Sequence, residues 1–264
     1  MSGNIILFDV DGTIITEENY IPPSTVAAIR GAQRAGNLCF VNTGRPWSHI
    51  VPSVREIGFS GYICSCGQHI VMDNQVVFHT GFDAAVSRAI VQELTACGLE
   101  AVFESESGVR FLTDGRPNPD REKSMRHYRE LGFSTELSPE EDGYCFDKFC
   151  IWPRPNCDLP RFLAYIAPLC EIIFRENDLI ELVKKGCSKQ TGIQYVLEKT
   201  GVSPDRCYAL GDSTNDLPMF ECVGHSIVMG NAPDEVKRHG DFVTANLLDD
   251  GVTLALSHYG LTAT

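Results

Sequence analysis

The chain has 264 residues, of which 43% are hydrophobic and 22% are charged, as in ordinary globular proteins with a core of normal size. Its formal net charge is −13, with 35 acidic residues against 22 Lys and Arg, and this balance does not favour a nucleic-acid binder. No apolar run reaches the ~20 residues of a membrane span, and Asp9 interrupts the apolar N-terminal run, which argues against a signal peptide. The sequence therefore predicts neither a nucleic-acid partner nor a membrane partner.

The first third of the chain alternates apolar runs with amphipathic stretches. Strands are predicted at 5–8, 38–41 and 62–66, and helices at 22–34 and 47–57. The alternation returns further on, with helices predicted at 189–199, 217–222 and 233–239 and strands at 207–210, 226–229 and 241–243. This strand–helix rhythm predicts a parallel sheet with crossover helices.

The middle of the chain has a different pattern, with paired strands joined by tight turns. Helices are predicted at 84–97, 121–131 and 159–166, and strands at 101–104, 109–112, 144–152, 171–175 and 179–183. The pattern is typical of an antiparallel α+β module. We therefore expect a second domain at about 82–185, inserted into a parallel α/β core.

The eleven cysteines contain no C-x-x-C pair, and the single C-x-C at Cys64 and Cys66 has no matching cluster that would complete a zinc site. Several cysteines lie within apolar runs, where a free thiol behaves as a small hydrophobe. The pattern predicts reduced thiols in a cytoplasmic protein.

Two acidic residues, Asp9 and Asp11, follow the first predicted strand. Ligands of open α/β sheets bind at the carboxyl edge of the strands, and residues i and i+2 of an extended segment point to the same side. Gly12 then permits a tight turn. A calcium loop does not fit, because the sixth and twelfth residues counted from Asp9 are Ile14 and Tyr20 rather than Gly and Glu.

Two other predicted strand ends lead to the same edge. Thr43 and Gly44 follow the second strand, where a hydroxyl and free N–H groups at a helix start can bind an anion. The strand at 207–210 leads to Asp212, Asn215 and Asp216. No Walker A loop occurs in the sequence.

Carboxylates gathered at one edge would raise one another's pKa values, and a divalent cation resolves that repulsion. Oxygen ligands together with a substrate phosphate favour Mg²⁺. Lys189, at the start of a predicted helix, could neutralise both the carboxylates and a phosphate. Each residue also has an ordinary alternative as a turn former, a helix cap or a solvated lysine, but their joint occurrence at strand ends and helix starts favours one site.

These segments resemble the four ordered motifs of the haloacid dehalogenase superfamily: "DVDGT" (9–13), "NTGR" (42–45), "SK" (188–189) and "GDSTND" (211–216). The resemblance extends through "MGNAPDEVK" (229–237), "DFVT" (241–244) and "DDGV" (249–252), which are typical of the Cof-type branch, family IIB, of sugar-phosphate phosphatases. One departure is "CGQ" (66–68), where the family often shows an "NGA"-like stretch.

The resemblance implies a Rossmann-like parallel-sheet core, formed by 1–81 and 186–264, with an inserted α+β cap domain of C2B type at 82–185. The cap would close over the core and select the leaving group. It also implies that Asp9 is the nucleophile and that Asp11 is the general acid and base. The implied Mg²⁺ ligands are the Asp9 carboxylate, the Asp11 main-chain carbonyl and Asp212.

The resemblance further implies that Thr43, Gly44, Lys189 and Asn215 contact the phosphate and that Asp216 orients Lys189 or metal-bound water. The leading hypothesis is thus a Mg²⁺-dependent phosphatase acting on a small phosphorylated metabolite, most simply a sugar phosphate, through an aspartyl-phosphate.

A phosphomutase on hexose phosphates and a non-catalytic sugar-phosphate sensor remain alternatives at this level. The predicted hairpin tip at Glu176, Asn177 and Asp178 is a candidate for substrate selection.

Overall fold

The computed structural model describes residues 3–113, 115, 117–130, 132, 144–175 and 178–262. The strands are β1 (Ile5–Phe8), β2 (Leu38–Asn42), β3 (Gly61–Cys64), β4 (His69–Met72), β5 (Gln75–His79), β6 (Glu100–Ser105), β7 (Gly108–Leu112), β8 (Lys148–Trp152), β9 (Cys170–Phe174), β10 (Ile180–Lys184), β11 (Cys207–Gly211), β12 (His225–Val228) and β13 (Phe242–Val243). The helices are α1 (Pro23–Arg34), α2 (Pro52–Arg55), α3 (Ala84–Ala96), α4 (Pro119–Glu130), α5 (Leu159–Ile166), α6 (Lys189–Thr200), α7 (Leu217–Phe220), α8 (Asp234–Lys237) and α9 (Gly251–His258).

The described residues fall into two compact units. The first comprises 3–45, 50–79 and 188–262, and the second comprises 46–49 and the described part of 80–187. The predicted fold class is confirmed: a parallel-sheet α/β core carries an inserted α+β module. The domain limits at 82 and 185, and the role of the insert as a cap, stay predictions.

The sheet of the first unit has the order β13-β12-β11-β1-β2-β3-β4-β5. Strands β13 to β3 in this order are parallel, and β4 and β5 extend the edge antiparallel. Phe8, the last residue of β1, pairs with Leu210 of β11 on one side and with Val41 of β2 on the other. Because the three strands end level, the loops that follow them meet at one point of the sheet edge.

Strand β1 is the centre of this unit, and all four of its residues are fully buried. It reads as a continuous apolar run because helices cover both faces of a parallel sheet. Ile5 and Leu7 share a core cluster with Phe40 and with Ile193 and Val196 of α6. Burying each such side chain stabilises the fold by about 1.5–3 kcal/mol, so the base of the site loops is firmly held.

The second unit is built on an antiparallel sheet of order β7-β6-β8-β10-β9. One face carries the larger core, in which Phe103 and Phe149 pack with Phe162 of α5. The other face carries a smaller cluster in which Phe111 stacks on Trp152. The sheet therefore has apolar residues on both faces, as a sheet covered on both sides requires.

Several predicted elements are wrong in extent, among them the strand expected at 144–152, which begins only at Lys148. The helix expected at 47–57 is a short 3₁₀ turn, Trp47–His49, followed by α2, because Pro52 cannot continue a helix and Val51 before it is extended. The strand expected at 62–66 ends at Cys64, because Ser65 and Cys66 have φ of 50° and 54°. Strands β4 and β5 and helix α9 were not predicted.

The predicted 171–183 hairpin is present as β9 and β10, and the Arg175 N–H donates to the Leu179 carbonyl at 2.8 Å. Of the three candidate residues at its tip, Glu176 and Asn177 lie outside the described residues.

Candidate active site

Asp9 lies immediately after β1, and its backbone N–H donates to the Leu210 carbonyl at 2.9 Å. This bond continues the β1–β11 ladder by one residue and fixes the Asp9 backbone at the sheet edge. The residue is only 4% exposed. A carboxylate so deeply buried requires a partner.

That partner is Lys189, the first residue of α6. Ser188 caps the helix through a reciprocal pair of bonds with Thr191, which sets the direction in which Lys189 leaves the helix. The Lys189 Nζ donates to Asp9 Oδ1 at 2.7 Å and to Asp216 Oδ1 at 2.6 Å. One buried ammonium therefore bridges two buried carboxylates.

Asp216 is fully buried, and both of its oxygens are engaged. While Oδ1 accepts from Lys189, Oδ2 accepts the backbone N–H groups of Asp212 and Ser213, each at 3.0 Å. Asp216 therefore fixes both the lysine and the turn after β11. The sequence reasoning assigned it this orienting role, although its carboxylate also lies within 4.8 Å of those of Asp9 and Asp212.

Asp212 supplies the feature that suits a cation. Its Oδ1 is buried and accepts no hydrogen bond from the described residues. Gly12, with φ of +72°, lies so close that a Cβ there would meet Asp212 Oδ2 at 2.2 Å. An orphaned oxygen on a carboxylate that lies within 4.8 Å of that of Asp9 fits the oxygen-ligand set of Mg²⁺, so the residues present suit the implied metal.

The site has more negative charge than its lysine can neutralise. Burial raises the pKa of Asp9 to about 8, with the charges of Asp216 and Asp11 acting in the same direction and Lys189 acting against them. Burial, followed by the charge of Asp216, raises the pKa of Asp212 to about 7. Burial lowers the pKa of Lys189, but Asp216 and Asp9 outweigh it and hold that pKa above its usual value. A divalent cation would restore the ionised carboxylates.

Thr43 and Gly44 follow β2 on the neighbouring side of the site. The Thr43 N–H donates to the Ile63 carbonyl at 2.8 Å, and its Oγ1 accepts the Arg45 N–H at 3.1 Å. These bonds hold the "NTGR" turn against β3. Asn215, half-buried in the turn after β11, accepts a hydrogen bond from the Ser213 hydroxyl at 2.6 Å. Contact of these residues with a phosphate stays a prediction.

Asp11 is placed differently from the sequence-based expectation. Its carboxylate accepts from Arg45 Nε at 2.9 Å and from Arg45 Nη2 at 2.6 Å, and its side chain is 55% exposed. The reason is local: the N–H groups of Ile14 and Ile15 both donate to the Val10 carbonyl, so the chain turns tightly and the strand alternation ends at Asp9. The Asp11 carboxylate is not part of the close group formed by Asp9, Asp212 and Asp216.

Two residues of this site were missed by the sequence reasoning, which assigned a role to neither. Arg45 follows Gly44 directly in the "NTGR" motif. Asn231 lies in the "MGNAPDEVK" stretch and donates from Nδ2 to the Gly12 carbonyl at 2.9 Å. Both lay inside motifs already identified, so the position of an unused polar residue within a motif was the available signal.

Known proteins with similar sequences and structures are hydrolases and phosphatases of one family. The sequence profile of the haloacid dehalogenase-like hydrolases matches residues 6–256. YkrA of Bacillus subtilis, named as a proposed phosphatase, is 30% identical over 99% of both chains. The 5-amino-6-(5-phospho-D-ribitylamino)uracil phosphatase YitU of B. subtilis is 25% identical over 97% of both. Among solved structures, the HAD subclass IIB sugar phosphatase BT4131 has a TM-score of 0.82, 25% identity and coverage of 98% and 99% of the two chains.

The chain belongs to the haloacid dehalogenase-like hydrolase family. The predicted membership of the Cof-type branch is confirmed, and so is the prediction of an enzyme of the phosphatase type. Within the described part of the chain, no helix is both long and apolar enough to cross a membrane.

Proposed function

We propose that the protein is a Mg²⁺-dependent phosphatase that hydrolyses a small phosphorylated metabolite through a phosphoryl group carried on Asp9. The observation that carries the proposal is the buried pair of Asp9 and Lys189 beside the orphaned oxygen of Asp212. Asp9, Asp212 and the main-chain carbonyl of Asp11 would hold the metal. When bound, Mg²⁺ supplies charge neutralisation for the phosphoryl oxygens.

In the first step, a carboxylate oxygen of Asp9 attacks phosphorus, and the bond between phosphorus and the leaving oxygen breaks. Asp11 gives its proton to the leaving alkoxide. Lys189 contributes a fixed positive charge beside the nucleophile, since it is held by Asp9 and Asp216 before substrate arrives. Thr43, Gly44 and Asn215 donate hydrogen bonds to the remaining phosphoryl oxygens.

In the second step, Asp11 takes a proton from water as that water attacks the phosphorus of the Asp9 acyl phosphate. Inorganic phosphate leaves and the Asp9 carboxylate is restored. For Asp11 to act in both steps, its carboxylate must exchange its two bonds with Arg45 for the reacting oxygen.

We propose substrates that carry a phosphate monoester on a hydroxyl-rich carbon skeleton. Support comes from two relatives at 25% identity, one named a sugar phosphatase and the other a phosphatase of a phosphoribityl compound. The residues 82–185 would select among such leaving groups.

Turnover of p-nitrophenyl phosphate, with and without Mg²⁺, tests the reaction, and a panel of phosphorylated metabolites ranked by kcat/KM tests the substrate class. We expect Mg²⁺-dependent release of inorganic phosphate, abolished by chelation and by Asp9→Asn. The control is Asp73→Asn, the same change in a surface turn where Asn tolerates the φ of 49°. Undiminished turnover by Asp9→Asn would refute the mechanism, and an isomerised phosphosugar in place of free phosphate would indicate a mutase.

A further inference from the structure

Asn231 follows β12 and lies at the same sheet edge as the site. Both the nitrogen and the oxygen of its side-chain amide form hydrogen bonds. Its Nδ2 donates to the Gly12 carbonyl at 2.9 Å and approaches Asp212 Oδ2 at 3.4 Å. Its Oδ1 accepts the backbone N–H of Leu247 at 3.0 Å. The amide thus joins the loops after β1 and β11 and is anchored on the loop after β13.

Two of these three loops supply the proposed metal ligands. The loop after β1 carries Asp9 and the main-chain carbonyl of Asp11, which is the residue directly before Gly12. The loop after β11 carries Asp212. The two loops touch at Gly12, where there is no space for a side chain against Asp212. Their relative position therefore decides whether the three oxygens can bind one cation.

In the described residues, the remaining backbone bonds of residues 12–14 lie within the loop itself. The N–H groups of Gly12, Thr13 and Ile14 bond to carbonyls of the same loop, at Ile15 and Val10. Among the described bonds to the backbone of residues 12–14, the one from Asn231 comes from another strand's loop. The Asn231 amide thus ties the backbone of this turn to Asp212, while the two bonds from Arg45 hold the Asp11 side chain from the loop after β2.

We propose that Asn231 is a positioning residue for the metal site: it aligns the Asp11–Gly12 turn with Asp212 so that their oxygens converge on one divalent cation. The inference rests on the proposed Mg²⁺-dependent function. Partners that orient metal ligands typically contribute about 10–100-fold in metal affinity. A residue that only braced the loops would affect folding stability and leave metal affinity unchanged.

The test measures Mn²⁺ binding to the full chain by electron paramagnetic resonance, with Mg²⁺ as competitor, after removal of metal by a chelator. For Asn231→Ala we expect the Kd for Mn²⁺ and the competing Kd for Mg²⁺ to rise by about 10-fold or more. At saturating Mg²⁺, kcat should recover most of the wild-type value, because Asn231 contacts no reacting group. Melting in chelator shows whether the variant is folded.

The matched control is Asn246→Ala. Asn246 is also an exposed asparagine and donates from Nδ2 to a carboxylate, Asp249 Oδ2 at 2.7 Å, in the neighbouring loop. We expect it to bind Mn²⁺ as the wild type does. A folded Asn231→Ala with wild-type Kd for both metals overturns the inference, whereas a wild-type chain that binds neither metal overturns the proposed function itself.

Discussion

At the scale of single residues, the site separates two carboxylates that are adjacent in sequence. Asp9 is buried and bound to a lysine, whereas Asp11 is half-exposed and bound to an arginine. The difference arises from the tight turn that begins at Val10, which removes Asp11 from the extended segment. The two residues therefore differ in burial and in charged partner, which agrees with the separate roles proposed for them.

The proton-transfer role of Asp11 predicts a dependence on the leaving group. A sugar phosphate leaves as a strongly basic alkoxide and needs the proton, whereas p-nitrophenolate leaves readily without it. We expect Asp11→Asn to lower kcat by about 10²–10⁴-fold on an alkyl phosphate and by much less in the p-nitrophenyl phosphorylation step, measured as a burst of p-nitrophenolate. If Asp11→Asn lowers kcat on the alkyl phosphate and the burst rate of p-nitrophenolate by the same factor, Asp11 does not transfer the proton.

The sequence allowed the candidate site residues to be proposed, because motif order and strand ends constrain them, and the structure brings Asp9, Lys189, Asp212 and Asp216 together. The side chains that contact those residues were harder to predict from the sequence. That Arg45 binds Asp11 depends on how tightly residues 10–15 turn, and that Asn231 reaches Gly12 depends on the level at which β12 ends. Neither property is encoded in a local pattern of residue types.

At the scale of elements, the sheet of the second unit contains a buried charged row. Lys148 of β8 lies 2.9 Å from Glu104 of β6 and 2.7 Å from Glu181 of β10, and Arg175 also binds Glu181. Burial alone would raise the pKa of Glu181, but Lys148 and Arg175 together lower it to about 2. Removing one member would leave a buried charge without compensation.

We expect Glu181→Gln to lower the free energy of unfolding by about 3 kcal/mol near neutral pH. The folded carboxyl has a pKa of about 2 and the ordinary value is 4.5. Its stabilisation is therefore complete above pH 4.5 and is lost as the pH falls towards 2, so the difference from wild type should shrink in acid. Denaturant unfolding at a series of pH values measures it.

The control for this substitution is Glu171→Gln, which breaks an exposed pair with Lys185 across the same β9–β10 ladder, at 3.2 Å. Such pairs contribute about 0–1 kcal/mol. If Glu181→Gln costs no more than this control, or if its effect does not vary with pH, the buried row does not stabilise the sheet.

At the scale of the whole molecule, the sequence was sufficient to predict a parallel sheet with an inserted module, but it gave neither the strand order nor the antiparallel edge strands. The parallel strands were predicted because each is a short apolar run between amphipathic stretches. Strand β5 was missed because all five of its residues are exposed and lack a buried face. The turn before it is formed by Asp73 and Asn74, whose φ angles are 49° and 61°, and this pair of turn-forming residue types was a local indication of a hairpin.

Trapping the phosphoryl group on Asp9 tests the proposed aspartyl-phosphate most directly. The enzyme is mixed with Mg²⁺ and p-nitrophenyl phosphate, whose leaving group needs no proton from Asp11, then quenched in acid within one turnover, reduced with borohydride and analysed by peptide mass spectrometry. We expect conversion of Asp9 to homoserine in the wild type, more of it in Asp11→Asn, where the water-attack step is slowed, and none in Asp9→Asn. Full turnover without modification at Asp9, or modification at another residue, would contradict it.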